Sequence, residues 1–193
     1  MSSIIQSERL DLVIFSPPFL RASMAGDLSQ AETILNIPLP AGWPVCAEPS
    51  WPDCTDVLAL RLQQLEEDPT AQPWLLRAMV PRGTRFMAGY IGFHSPPGAA
   101  YLQPYSPDAV ELGFSVFPPF QRRGYAREAC RALMGWAREC HGVLRFVMTI
   151  RPDNVASQSL AASLGFVRIG SHIDEVDGLE DILECDVSSD DIH

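Results

Sequence analysis

The residues with the most chemical content are Gln121-Arg122-Arg123-Gly124-Tyr125-Ala126, which stand between an apolar run and an amphipathic stretch. In that stretch Ala126, Ala129, Cys130, Leu133 and Ala137 recur on one helical face, while Glu128, Arg131, Arg138 and Glu139 fall elsewhere. A helix that begins at this point aims its unpaired backbone N–H groups and the positive end of its dipole at the preceding loop. Phosphate oxygens bind at such a place with little further help. Gly124 permits a close backbone approach or a positive φ, small Ala126 leaves room, and Arg122 and Arg123 add charge. The hexapeptide contains neither G-x-x-x-x-G-K nor G-x-G-x-x-G, so it is not a P-loop or a dinucleotide fingerprint.

The elements that must position this loop follow from periodicity. Glu8 to Phe15 reads as a first strand, with Leu10, Leu12 and Ile14 on one side. Pro17 and Pro18 open a helix, Asp27 caps a second through Leu35, and a third runs from about Asp53 to Glu67. Residues 37–50, with four prolines, a glycine and Trp43, form a structured loop. Strands are expected over Trp74–Val80 and Arg85–His94, around the turn Pro81-Arg82-Gly83-Thr84. After the proline-rich residues 95–107 comes the strand Ala109–Val116, then the loop, a helix from about Gly124 to Cys140, a strand Leu144–Ile150 and a helix Val155–Leu164. Two last strands, Phe166–Ile173 and Leu179–Val187, flank the hairpin signal Asp177-Gly178. The order implies an α/β (α+β) fold with a mixed sheet and helices on its faces, in a single domain over residues 1–193.

Composition narrows the function classes. The chain has 193 residues, 47% apolar and 20% charged, which is enough for a core and excludes global disorder. The net charge is −10 and all 14 cationic residues are arginine, which argues against a nucleic-acid binder. The same charge is compatible with attraction of a cationic amine, and equally with plain solubility. The five cysteines show no C-x-x-C spacing and the four histidines no H-x-x-x-H pair, so neither a metal site nor a disulfide framework is supported. Cys130 falls on the apolar helix face, as a small buried hydrophobe does. Leu12 to Leu20 is interrupted by Ser16, Pro17 and Pro18, well short of the roughly 20 residues of a membrane helix, and no basic region precedes it. A cytoplasmic protein without a membrane partner is expected.

The hexapeptide matches in full the Q/R-x-x-G-x-G/A motif of the GNAT superfamily of acyl-CoA-dependent N-acyltransferases, and the sequence resembles that family at a second place. Asn154, Ser157, Leu160 and the ending Leu164-Gly165-Phe166 follow the strand Phe146–Ile150 in the family's order. Together the two motifs cover roughly Glu111 to Phe166. The opening E-R-L-D-L and the N-x-x-S form most resemble the branch of N-terminal acetyltransferases that act on ribosomal proteins, with alanine or serine termini.

The resemblance implies a mostly antiparallel sheet of about seven strands, in which the strand carrying Glu111 splays from the next to admit acyl-CoA. It implies that the pantetheine arm bonds to the backbone of Phe114, Ser115 and Val116, that the pyrophosphate lies on the N–H groups of Gln121 to Ala126, and that Asn154 reaches the pantetheine or the region near the thioester. It also implies direct attack of a primary amine on the thioester of acetyl-CoA, with no metal. An ammonium has no lone pair, so a base must take a proton. Glu111, sharing a strand face with Gly113 and Ser115, is the candidate, or it binds the cationic substrate while water carries the proton. Many family members place a tyrosine where this chain has Ala161, which has no proton to give. Ser157 or an ordered water is the substitute candidate as acid, with a helix-face or capping serine as the alternative for Ser157. A thiolate with a free pKa of about 8.5 needs little assistance.

The acceptor is a peptide N-terminus or a small amine, and nothing in the motif reads the acyl chain, so succinyl-CoA stays open. The rival reading is a module that holds acyl-CoA without turnover. Oligomeric state is not legible, and a homodimer stays open. Trp43, Trp51 and the two proline-rich loops are candidate pocket walls, with a core anchor as the alternative for Trp43. The acidic residues Asp174, Glu175, Asp177, Glu180, Asp181, Glu184, Asp186, Asp190 and Asp191 form either a charged hairpin edge or a funnel for a basic substrate.

Overall fold

The computed structural model describes residues 4–45, 53–84, 86–174 and 178–188. The chain divides into two compact units, Met1–Gly92 with Phe114–Ala132, and Phe93–Gly113 with Leu133–His193. Among the described residues there are eight strands and five α-helices, in a mixed, mostly antiparallel α/β arrangement.

In the first unit the strands β1 (Ile4–Gln6), β2 (Leu10–Ile14), β3 (Arg77–Pro81) and β4 (Gly89–Phe93) pair in that order, all antiparallel. β1 is the strand that periodicity misses, because three residues are too few to display an alternation. The helices follow their caps. Ser16 Oγ accepts from Phe19 N ahead of α1 (Pro17–Met24), and Asp27 Oδ1 accepts from Gln30 N ahead of α2 (Leu28–Leu35). α3 spans Thr55–Glu67. Their apolar faces meet in a core containing Phe15, Phe19, Leu58, Leu75 and Phe117. Trp43 belongs to that core. It is 2% exposed, its ring lies 6.1 Å from Phe15 and 6.2 Å from Phe117, and Nε1 donates to Ser23 Oγ at 2.9 Å. It is the core anchor rather than a pocket wall, while Trp51 lies outside the described residues.

In the second unit the order is β5 (Ala109–Val116), β6 (Arg145–Ile150), β8 (Gly178–Asp186), β7 (Val167–Asp174). β5 and β6 are parallel, and the connection they require contains α4 (Tyr125–His141). Their ladder pairs only Ala109, Val110 and Glu111 with Arg145, Phe146 and Val147, although β5 continues to Val116 and β6 to Ile150. Pairing therefore stops at Glu111, as the expected splay of this strand pair requires. α5 (Val155–Ser163) follows β6, and β7 and β8 form the expected hairpin, closing from Asp174 to Gly178. Residues 95–107 lie on one sheet face, where Leu102 is buried with Ala109, Val147 and Ile182.

Candidate functional site

In the first unit, β5 ends at Val116 and the chain turns through a short helical turn, Pro118–Phe120, into the loop before α4. Phe117 N donates to Ala88 O at 2.9 Å. A Cβ on Gly89 would stand 2.1 Å from the Ser115 carbonyl oxygen, so only a glycine lets the two backbones approach so closely there. Phe114, Ser115 and Val116 are half-buried, in contrast to the fully buried first half of the strand. The Val116 carbonyl accepts from Gln121 Nε2 at 2.9 Å, so the Gln121 side chain braces the loop against the strand.

The loop has the backbone of an anion cradle. Arg122 has φ 58° and Gly124 has φ 79°, and successive residues that alternate in this way turn their N–H groups toward one concave side. Left-handed backbone at a bulky residue such as Arg122 is strained and gathers at binding sites. Among the described residues no protein acceptor receives the backbone N–H of Arg122, Arg123, Gly124, Tyr125 or Ala126, whereas Gln121 N is turned to Pro118 O at 3.3 Å. Five donors are thus available at the start of a 17-residue helix. Gln121, Arg122, Arg123 and Gly124 are exposed, and Tyr125 and Ala126 half-buried. The helix face is as expected, with Ala129, Cys130, Leu133 and Ala137 buried, and burial pushes the Cys130 thiol far up.

Two further residues hold this loop, and the motif does not contain them. Arg9 Nη1 donates to Arg123 O at 3.0 Å, its guanidinium lies 5.3 Å from the Tyr125 ring centre, and a Cβ on Gly124 would meet its Nη2 at 3.2 Å. Glu128, in the first turn of α4, receives Ser7 Oγ at 2.7 Å, Arg9 N at 2.6 Å and Arg9 Nε at 2.7 Å. Partial burial works to raise the Glu128 pKa, but these bonds and the Arg9 charge outweigh it and hold the carboxyl below its usual range. The signal was the arginine of E-R-L-D-L, an ion-forming residue ahead of an apolar strand.

In the second unit the carboxylate of Glu111 is buried, its side chain 5% exposed. It faces His94 Nδ1 at 3.3 Å through Oε2, receives Thr149 Oγ1 through Oε1, and is hydrogen-bonded to Tyr101. Burial alone would raise its pKa, but the His94 bond and charge, with Thr149 and Tyr101, hold it down at about 2. The expectation that Glu111 itself takes the proton therefore meets a physical obstacle. A carboxylate so well satisfied is a weak base, and its oxygens are engaged. His94, directly after β4, is the accessible member of the pair, with 37% of its side chain exposed. His94 N donates to Glu111 O at 2.8 Å, and a Cβ on Gly113 would stand 2.6 Å from His94 Nε2. Signals for these partners existed in the hydroxyl of R-F-V-M-T-I and the histidine closing G-Y-I-G-F-H, but pairing them needed the register.

Asn154 is exposed and caps α5, Oδ1 accepting from Ser157 N at 3.1 Å, so the cap is the asparagine and Ser157 takes part through its backbone N–H. Ser157 is half-buried and is not among the Glu111 partners. Ala161 is fully buried. The acidic hairpin is largely paired within its own unit. Asp181 meets Arg168 at 2.5 Å, Asp186 meets Arg145 at 3.4 Å, and Glu184 accepts from Ser106. Glu175, Asp177, Asp190 and Asp191 lie outside the described residues.

The profile of the Acetyltransferase (GNAT) domain matches residues 25–167, the greater part of the chain. The chain belongs to the GNAT family. Two curated Bacillus subtilis relatives, both described as uncharacterized N-acetyltransferases, are YjdG, 34% identical over 30% of this chain and 34% of its own length, and YoaA, 29% identical over 46% of each. The chain thus spans well under two thirds of the curated relatives that it matches. Among solved structures, the ribosomal-protein-S5-alanine acetyltransferase of Vibrio fischeri has a similar fold, with a TM-score of 0.62 at 15% identity over 97% of this chain and 98% of that one. The two motif regions and the fold agree with the resemblance read from the sequence. No helix among the described residues is long and apolar enough to cross a membrane.

Proposed function

We propose that the protein transfers an acetyl group from acetyl-CoA to a primary amine, with a peptide N-terminus as the leading acceptor and a small cationic amine as the second. The single observation that carries this reading is the row of five backbone N–H groups, Arg122 to Ala126, at the start of α4, which meet no protein acceptor among the described residues. Those donors, with the exposed arginines 122 and 123 and the anchored Arg9, fit a pyrophosphate by charge and hydrogen-bond type. Gly124 adds to the fit, because a side chain there would intrude upon Arg9.

The half-buried backbone of Phe114, Ser115 and Val116 would receive the amide-containing arm, in the manner of an added strand. When bound, acetyl-CoA supplies an activated acyl carbonyl. Glu111 belongs to the proton path of the acceptor amine. Asn154 contributes by fixing the start of α5, and Ser157 remains the candidate donor to the departing sulfur. The likeness in fold to a ribosomal-protein alanine acetyltransferase, together with the resemblance of the E-R-L-D-L opening to that branch, supports a peptide acceptor.

The test measures binding of acetyl-CoA by calorimetry and release of free thiol against a panel of peptides and small amines. Binding with amine-dependent thiol release is expected, and Glu111→Gln is expected to lower turnover while leaving cofactor affinity within about threefold. Tight binding with no release across the panel would identify a holding module, and no binding would overturn the reading.

A further inference from the structure

We infer that Glu128 and Arg9 are positioning residues for the cofactor, which together lock the peptide between Arg123 and Gly124 with its N–H turned toward the anion. The inference rests on the pyrophosphate cradle proposed above and concerns the first unit alone. It starts from the direction of one carbonyl. Arg9 Nη1 donates to Arg123 O at 3.0 Å. In a planar trans peptide the C=O and the following N–H point to opposite sides, so the Gly124 N–H is held away from the guanidinium. The glycine leaves that direction weakly fixed by itself. Gly124 has φ 79° and no Cβ, so this peptide can turn over at small cost. Turned over, it would aim the Arg123 oxygen at the phosphate and withdraw one donor.

The lock is built outside the loop. Glu128 Oε2 receives Arg9 Nε and Nη2, both at 2.7 Å, so the guanidinium is gripped along one edge while Nη1 holds the Arg123 carbonyl. Glu128 Oε1 receives Arg9 N at 2.6 Å and Ser7 Oγ at 2.7 Å, which fixes the backbone end of the same arginine. The turn between β1 and β2 is itself closed, with Ser7 N donating to Leu10 O at 2.9 Å and Leu10 N to Ser7 Oγ at 3.0 Å. Arg9 O accepts from Arg82 N at 2.8 Å, and the guanidinium rests against the Tyr125 ring. Arg9 is thus held at both ends, and both oxygens of Glu128 are occupied.

The charge of Glu128 separates positioning from simple attraction. A carboxylate in the first turn of α4 repels an anion bound at that helix start, so charge alone predicts tighter CoA binding when it is removed. Positioning predicts the reverse.

Calorimetry with CoA tests the assignment, with melting temperatures measured alongside. Glu128→Ala should weaken binding about fivefold and Glu128→Gln about twofold, because the amide oxygen still accepts from Ser7 or Arg9. Affinity equal to or tighter than that of the parent in both would overturn the role of Glu128. Arg9→Lys keeps the charge but cannot span Glu128 and the Arg123 carbonyl as a fork, and should weaken CoA nearly as much as Arg9→Met, about fivefold. Parent affinity in Arg9→Lys would show that charge alone acts and would overturn the lock. Arg9→Met combined with Glu128→Ala should bind no worse than about tenfold below the parent, since Glu128 acts through Arg9; independent effects would multiply to about 25-fold and overturn that coupling. A measurement without ligand does not depend on the stability of the Glu128 variants. In 15N-labelled parent protein the Arg9 Nε–H signal, assigned with Arg9→Lys, should exchange with water about tenfold more slowly than that of an exposed arginine such as Arg122. Equal exchange would overturn the grip of Glu128. A parent protein that binds no CoA overturns the proposed function and this inference with it, whereas a parent that binds CoA no better than these variants overturns this inference alone.

Discussion

Between Arg122 and Ala126 in the first unit, the backbone N–H groups meet no protein acceptor among the described residues, whereas both oxygens of the Glu111 carboxylate in the second are engaged, by His94 on one side and Thr149 on the other. Exposure explains why both are stable. An open donor on a surface loop costs little while water serves it, and becomes a binding site when an anion replaces the water. A buried carboxylate has no such reserve and must be satisfied by the protein. The first region leaves its donors open to the surface, and the second holds a buried charge in one place.

The largest expected effect concerns the buried carboxylate. Its pKa is held down at about 2 in the folded chain, against an ordinary 4.5. The stability it contributes is therefore fully present above about pH 4.5 and lost as pH falls toward 2, on the order of 3 kcal/mol in all. Denaturant titrations between pH 5 and pH 2 should show Glu111→Gln losing less stability than the parent across that window. Equal losses would mean that the carboxylate is not held as described.

Next comes Gly124→Asp, which puts a side chain at φ 79°, crowds Arg9 and adds a negative charge beside the open donors. Affinity for CoA should fall roughly 30- to 100-fold by calorimetry, about 2–3 kcal/mol. Arg9→Met removes the charge and the bond to the Arg123 carbonyl but retains an apolar body on Tyr125, and should weaken CoA about fivefold, close to 1 kcal/mol. The smallest effect is that of Arg168→Ala in the acidic hairpin, where an exposed pair is worth less than about 1 kcal/mol in melting experiments. The KM for amine should not move with it. A clear drop in amine KM would revive the funnel that the observed pairing disfavours.

The two regions were not equally legible in the sequence. The loop announces itself locally, because residue types, helix period and the preceding strand all lie within one short stretch, and the observed α4 and β5 lie within one residue of their expected limits. Arg9 and Glu128 were hidden because they are 119 positions apart. The Glu111 cluster was half legible. The carboxylate stood out in an apolar strand, but its partners come from β6, from residues 95–107 and from the end of β4, and only the β5–β6 register brings Thr149 beside it. Capping was expected at Ser157 and is made by Asn154 three residues earlier, while Trp43 followed its aromatic character into the core. The three-residue β1 left no period to detect.

The central claim is tested most directly by adding coenzyme A to 15N-labelled protein and following the backbone amide signals. Large, saturable shifts at Arg122 to Ala126, suppressed in Gly124→Asp, are the predicted result. Unmoved signals at these five positions under saturating coenzyme A would contradict it.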